Sequence, residues 1–402
     1  MVVMPFNLFW HKTGVTNGNR LIMNATLFQF STNKWQSFPS DSGIDTDLVQ
    51  LVLCFAGKNS ITEIDLCKSL RSDFPNAEFV ICSTAGEIFG QNVQDDSVIC
   101  AALTFEHTAL RSSSVSIQDF PDSYSAAAKL IDQLHKEDLC YVMVFSDGSL
   151  VNGSELVKGL NYATGNKILI TGGLAGDGPD FKATLLGLNE GPSEGKIIAI
   201  GFYGKNLLVT HGSQGGWDMF GLEKEITKSE ANVLYEIDEE NALDLYKKYL
   251  GSEVENLPAA SLLFPLSVTI PGIEKPVVRT ILSIDEAVKS MTFAGDVPIG
   301  SKVRFMKGNF DKLTAAAAIA AQKTLSKDNG MPNFSLLISC VGRKLILGVR
   351  AEEEVEAVSE IFGNKTPMVG FYAYGEISPF DEGGNCQLHN QTMTITSFYE
   401  LP

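Results

Sequence analysis

The sequence predicts an α/β protein of two domains, each a mixed or largely antiparallel sheet with packed helices, built from duplicated strand-helix-strand-strand units. Three observations predict it. Short apolar runs alternate along the chain with amphipathic stretches that carry helix signals, the pattern of sheets covered by helices. Four of these runs end in a small or aromatic residue, a glycine and a carboxylate: Ala85-Gly86-Glu87, Ala175-Gly176-Asp177, Ala294-Gly295-Asp296 and Tyr374-Gly375-Glu376. The surroundings of the first and last agree in order as well. Each has a buried strand (LVLCFAG, LLISCVG), a helix ending in Phe74 or Phe362, the glycine-acid turn, then an antiparallel pair. The spacing is far longer than a solenoid period, so it reads as duplicated units, two per half. Small-glycine-acid is also ordinary turn chemistry, and that reading stays beside it.

Size and composition fit this organisation. The 402 residues are 44% hydrophobic and 20% charged, enough to bury sizeable cores and exclude wholesale disorder. Residues 23–228 and 229–402 form the two expected domains, with 1–22 an extension or loosely attached segment. Lys and Arg number 31 against 48 Asp and Glu, a net charge of −17. That acidity disfavours non-specific nucleic-acid binding and adhesion to anionic membranes, which both need a basic face. The seven cysteines include no CxxC pair and sit mostly in apolar runs, so reduced thiols and a cytoplasmic location are expected. No run of 18 apolar residues is present, and the opening MVVMPFNLFWHKTG lacks a basic n-region and a long apolar h-region, so it reads as a poor signal peptide.

The elements follow in order. Residues 47–57 make a buried strand, and Ser60 with Glu63 has the spacing of a capping box opening ITEIDLCKSL. Strands follow at 78–87, 97–105 and 110–117. Residues 123–137 form a helix with Leu130, Ile131 and Leu134 on one face. Strands at 139–148 and 166–178 flank a helix at 153–160. ATLLGL and KIIAIGFYG alternate like a paired antiparallel edge. In the second half, 241–251 is a helix closed by Gly251, and 310–325 is an alanine-rich helix. Strands lie between them at 261–270, 277–283, 289–294 and 301–307. SLLISCVGR, EEEVEAVSEIF, TPMVGFYAYGEI and CQLHNQTMTITSFYE complete the chain as strand, helix and strands.

Enzyme fingerprints are missing. There is no GxGxxG after a strand, GxxxxGK[ST], HExxH, GxSxG or CxxCH, and the five histidines are scattered. Four constellations remain. Thr84-Ala85-Gly86-Glu87 places a carboxylate and bare amides at a strand end, where α/β sheets bind ligands. Thr171–Gly178, with Gly172, Gly173, Gly176 and Asp177, is either an anion nest or a bend. His211–Asp218 joins a histidine, Gly215 and Trp217 in a flexible turn, and a hairpin with the tryptophan packed on the core is the plainer reading. Arg279 and Arg304 sit mid-strand among apolar residues and must pair, with a ligand carboxylate or an internal acid. Tyr374 and Glu376 repeat the first turn. His389 lies on an alternating strand and reads as a core histidine.

These residues resemble a known family. STAGEIFG, ILITGGLAGDG, GSQGGWDMFG, EITKSEANVLYEIDEENALDLYKKYLG, FAGDVPIGSKVRFMKGNF and GFYAYGEISPF followed by LHNQTMTI are similar to the FIST sensory proteins over roughly residues 24–400. The resemblance implies a FIST N-terminal and a FIST C-terminal domain and a cytoplasmic small-molecule sensor. Amino-acid-type metabolites are one ligand class it implies. Haem for nitric oxide sensing, as in the NosP-like branch, is the other, with a histidine kinase or cyclic-di-GMP enzyme as partner. No kinase, GGDEF or F-box segment accompanies the pair here, so a stand-alone sensor is expected to signal through a separate protein. Haem would need an axial donor, His211 first and His389 second. The competing classes are an enzyme using Glu87 and Asp177 as acid and base, and a protein-interaction scaffold.

Overall fold

The computed structural model describes residues 23–38, 44–257, 259–273, 275–381 and 383–402; the expected extension at 1–22 lies outside the described residues. The first repeated unit runs β1 (Asn24–Ser31), β2 (Lys34–Phe38), β3 (Leu51–Gly57), α1 (Lys58–Glu63), α2 (Leu66–Asp73), β4 (Glu78–Thr84), β5 (Glu87–Phe89), β6 (Asn92–Gln94) and β7 (Val98–Thr104). The second runs β8 (Ala109–Ser116), α3 (Ser123–Asp132), β9 (Leu139–Ser146), α4 (Gly153–Thr164), β10 (Leu169–Leu174), β11 (Leu186–Leu188) and β12 (Lys196–Tyr203).

The third unit opens with β13 (Leu207–Gln214) and is then interrupted. The inserted segment holds β14 (Asp218–Glu230), β15 (Val233–Ile237), β16 (Glu240–Asn241), α5 (Ala242–Leu250), β17 (Leu266–Thr269), β18 (Val277–Arg279), β19 (Ile281–Asp285), β20 (Ser290–Phe293) and β21 (Lys302–Lys307). The unit resumes with α6 (Phe310–Thr324), β22 (Phe334–Cys340), α7 (Val341–Leu347), α8 (Ala351–Ile361), β23 (Met368–Ala373), β24 (Gly375–Pro379), β25 (Cys386–His389) and β26 (Met393–Glu400).

Each unit centres on two parallel strands joined by helices: β3 with β4, β9 with β10, and β22 with β23. An antiparallel strand completes the other side, β7, β12 and β26 respectively. These central strands are buried on both faces, which is why LVLCFAG and FSLLISC are unbroken small and apolar runs with no alternation. The short strand after each glycine-acid turn leaves its own unit. β5 pairs with β23 of the third unit, β24 with β10 of the second, and β11 with β4 of the first. This closed exchange makes three six-stranded sheets, while the insertion makes a separate eight-stranded one. Phe55, Phe145 and Phe371, one from each unit, meet in the core with ring centroids 4.8–6.2 Å apart.

The structure sharpens several sequence expectations. The duplicated units are present, and their number is three. The fourth turn, Ala294-Gly295-Asp296, belongs to the insertion and docks it on α4. Asp296 N–H donates to Ser154 Oγ at 3.2 Å, and its carboxylate meets Lys158 Nζ at 3.2 Å. The boundary at 228/229 runs through β14, and two of the three six-stranded sheets join strands from both sides of it. ATLLGL and KIIAIGFYG do not form a shared edge: β11 has crossed to the first unit, and β12 pairs with β8 and β9. Ser60 is no cap. Gly57 precedes α1, and Ser60 Oγ donates to the Asp96 carbonyl at 2.6 Å.

Candidate functional site

The parallel strands of all three units end at the same pole, so the residues following them converge. Lys58 follows β3, Asp147 follows β9, and Val341, Gly342, Arg343 and Lys344 follow β22. The three glycine-acid turns follow β4, β10 and β23 and lock onto one another through their backbones. Gly176 N–H donates to the Ser83 carbonyl at 3.0 Å and Ala85 N–H to the Tyr372 carbonyl at 2.8 Å. Tyr374 N–H completes the set on the Leu174 carbonyl at 3.1 Å. Gly176 is required for closeness: a Cβ there would lie 2.8 Å from Ala85 N.

A cleft of about 570 Å³ opens over these turns, lined by Lys58, Thr84, Gly86, Glu87, Asp177 and Lys344 among others. The first unit supplies its floor, the loop after Asp177 one wall, and α7 of the third unit the other. Lys58 Nζ lies 3.5 Å from the Asp177 carboxylate, and Lys344 Nζ donates to the Ala85 carbonyl at 3.0 Å and pairs with Asp95. Both ammoniums therefore stand at the cleft with acids around them, Asp95, Asp96 and Asp180 at its edge.

The two expected acid-base carboxylates are turned inward. Glu87 is wholly buried and accepts from Thr84 Oγ1, from Ser97 N at 2.8 Å and from Ser97 Oγ at 2.7 Å. Burial pushes its carboxyl up to about 7, against the opposing pull of those hydrogen bonds and of Lys344. Glu376 repeats the arrangement on Thr392 N at 3.1 Å and Thr392 Oγ1 at 2.8 Å, and burial pushes it up to about 8. Asp177 pins a loop instead. It accepts from Lys182 N at 3.0 Å, Ala183 N at 2.9 Å and the Tyr374 hydroxyl. Burial alone would raise it, but these donors and Lys58 hold it below the usual carboxylate range. The Tyr374 hydroxyl in turn accepts from Asp177 N at 3.1 Å and Phe181 N at 3.0 Å, and the Phe181 ring stacks on it at 4.4 Å.

The FIST N domain family matches residues 50–240, and the FIST C domain family matches 242–379. The chain belongs to the FIST family. FIST domains are sensory domains that bind small ligands. Two solved structures also align over 94% of this chain and 100% of theirs, at 8% identity. One is a cyanuric acid hydrolase from A. caulinodans with a TM-score of 0.33. The other, also a cyanuric acid hydrolase, is described as an evolutionary innovation by structural concatenation and has a TM-score of 0.32. Likeness at that level bears on neither fold nor function. A comparison with curated proteins returned no match.

Of the residues singled out in the sequence, the FIST fold brings Thr84, Gly86, Glu87, Gly176, Asp177 and Tyr374 to this pole. Gly172 and Gly173 are not an anion nest. They lie in β10 between β9 and β24, and a Cβ on Gly172 would fall 1.8 Å from the Val144 carbonyl oxygen. The Gly215 carbonyl accepts from buried Arg343, and Trp217 Nε1 donates to the Gln391 carbonyl at 2.9 Å, both away from the cleft. Arg279 is buried and donates to the carbonyls of Asp296 at 3.0 Å and Leu388 at 3.2 Å, tying the insertion to the third unit. Arg304 donates to the Gly221 carbonyl at 3.1 Å within the insertion. These two arginines and the cleft acids do not converge.

Haem needs an axial donor with room beside it. His389 does not fit: it is buried, its Nε2 lies 2.8 Å from the Ser378 carbonyl oxygen, and Phe380 packs edge-on against it. Burial pushes its imidazole down to about 4. His211 lines a different cleft, of about 590 Å³, with Lys167, Lys323 and Lys327. The described residues contain no cluster of three or more His, Cys, Asp or Glu suited to a metal ion. All seven cysteines are free thiols, and no described helix is long and apolar enough to cross a membrane.

Lys58 and Lys344 were not foreseen. The signal was available: each follows, by one and four residues, the first parallel strand of its unit, where ligand-facing residues of open α/β sheets lie. Of the loop 177–183, the sequence points to Asp177 and Gly178 alone.

Proposed function

We propose that the protein is a cytoplasmic FIST sensor that binds a small carboxylate-bearing metabolite of amino-acid type in the cleft at the strand ends. A separate signalling protein, a histidine kinase or cyclic-di-GMP enzyme, reads its occupancy. One observation carries the reading: Lys58 and Lys344, from different units, both stand at a single cleft that Asp95, Asp96 and Asp180 also line. Ammonium groups suit a ligand carboxylate. The enzyme alternative is weaker, because the Glu87 and Asp177 carboxylates are committed to donors of the chain itself.

A thermal-shift screen of amino acids and related carboxylates tests it, since a ligand of the native state raises the midpoint by mass action. A hit should lose about tenfold or more in affinity in Lys344→Met and in Lys58→Met. No shift with any carboxylate, or a hit indifferent to both substitutions, would sink the reading. A second reading places haem against His211, whose cleft pairs an imidazole with three lysines beside Leu169, Leu208 and Leu325. A Soret band abolished in His211→Ala would support it, and absence of a band after haem addition would remove it.

A further inference from the structure

A second cleft, of about 900 Å³, lies between the inserted segment and the core, and it shares Pro179 and Leu345 with the polar cleft. Its character is opposite. Leucines and isoleucines of the insertion and of α7 line it, with Phe181 and Phe310, and Glu253 is the one charged side chain among its described lining residues. Four of the lining side chains are left strongly exposed for their type: Phe181 38%, Leu282 42%, Phe310 44% and Leu345 42%. Apolar walls left wet in a concave surface mark a place that an apolar group fills.

The loop at the junction is built to hold this shape. Phe181 has φ +53°, a left-handed conformation that a bulky residue adopts only when its surroundings impose it. Here the Asp177 carboxylate captures the two following amides and the Tyr374 hydroxyl captures the Phe181 amide. Phe181 is thereby fixed as a wall of the apolar cleft, while Asp177, Gly178, Pro179 and Asp180 line the polar one.

We infer that the ligand is amphipathic: a carboxylate seated by Lys58 and Lys344, with an uncharged apolar arm running past Pro179 and Leu345 into the second cleft. An N-acyl amino acid or a medium-chain acid has this chemistry, and a free polar amino acid does not. This rests on the carboxylate reading of the polar cleft. The arm touches the insertion and the core together, so occupancy ties the two across the cleft.

The test is calorimetric titration of the full chain with N-acetyl-, N-hexanoyl- and N-decanoylglycine, each below its micelle threshold. Burying an apolar arm should tighten binding up to about fourfold per methylene until the cleft is filled. Phe310→Asn and Leu282→Asn, which line the apolar cleft alone of the two, should abolish that dependence on chain length while leaving N-acetylglycine unaffected. Both side chains are partly exposed, and circular dichroism checks the fold. Lys344→Met should weaken all three compounds by the same factor. If N-acetylglycine binds and requires Lys344 but longer chains gain less than twofold in total, the apolar arm is refuted and the carboxylate reading stands. If none of the three binds, the amphipathic ligand is refuted. If free amino acids also fail to bind, the carboxylate reading falls with it.

Discussion

Replacing Tyr374 by phenylalanine removes one oxygen and leaves the ring stacked on Phe181 at 4.4 Å, so the substitution isolates the hydroxyl. That oxygen donates to the Asp177 carboxylate and accepts from Asp177 N at 3.1 Å and Phe181 N at 3.0 Å. A hydrogen bond to a charged acceptor contributes about 1.5–3 kcal/mol, and an orphaned buried amide costs about 1–3 kcal/mol. Phe181 N is only partly buried and regains water, and a water entering the vacated space offsets part of the rest. A net loss of about 3 kcal/mol in the local stability of the loop 177–183 is expected. A loop can open without global unfolding, so the readout is amide hydrogen exchange followed by mass spectrometry over a peptide spanning 177–185. About 3 kcal/mol corresponds to roughly hundredfold faster exchange at the Lys182 and Ala183 amides, which the Asp177 carboxylate otherwise holds. The strands β10 and β23 should exchange as before. A change of less than threefold in the loop would show that Asp177 holds it unaided, and the account of Tyr374 as its second pin would be wrong.

Two further outcomes follow from the geometry of the turns. Glu87 binds its proton more tightly in the folded chain, at about 7 against an ordinary 4.5, so its contribution is full below 4.5 and is lost as pH rises to about 7. Glu87→Gln should remove up to about 3 kcal/mol of stability loss between pH 4.5 and 8 in urea titrations, and identical pH profiles would refute the shift. Gly176→Ala should destabilise by about 1–3 kcal/mol, because its Cβ would stand 2.8 Å from Ala85 N and 3.1 Å from Thr84 C. A urea midpoint within error of the parent would show that the turns have room to part.

The fold was legible where burial governs composition. Both-face burial leaves an unbroken apolar run, so LVLCFAG and LLISC announce central strands without any partner being known. The glycine-acid turn was legible for a similar reason, since two turns packed backbone to backbone exclude a Cβ at Gly176. Its meaning was not. The same three-residue pattern at 294–296 arises from docking the insertion, and composition cannot tell a repeat from a coincidence when both need a tight turn and an acid. Gly172 misled in the same way: a glycine needed because the Val144 carbonyl passes close looks, in a sequence, like one whose amide waits for an anion.

From its sequence alone the chain's family, its α/β class, its repeated strand-helix-strand grammar and the positions of its turns were determined. These depend on local spacing and on burial, which leave their marks in neighbouring residues. Only the tertiary structure decided that there are three units, that β5, β11 and β24 are exchanged among them, and that an insertion interrupting the third forms a sheet of its own. Pairing of β5 with β23 joins residues 87–89 to 369–371, and nothing local records so distant a partner. The site follows the same rule. Glu87 and Asp177 looked available because acids beside glycines usually face water, and the fold turned both inward. Lys58 and Lys344 lie far apart in the sequence, and the closure of the three units brings them to one cleft.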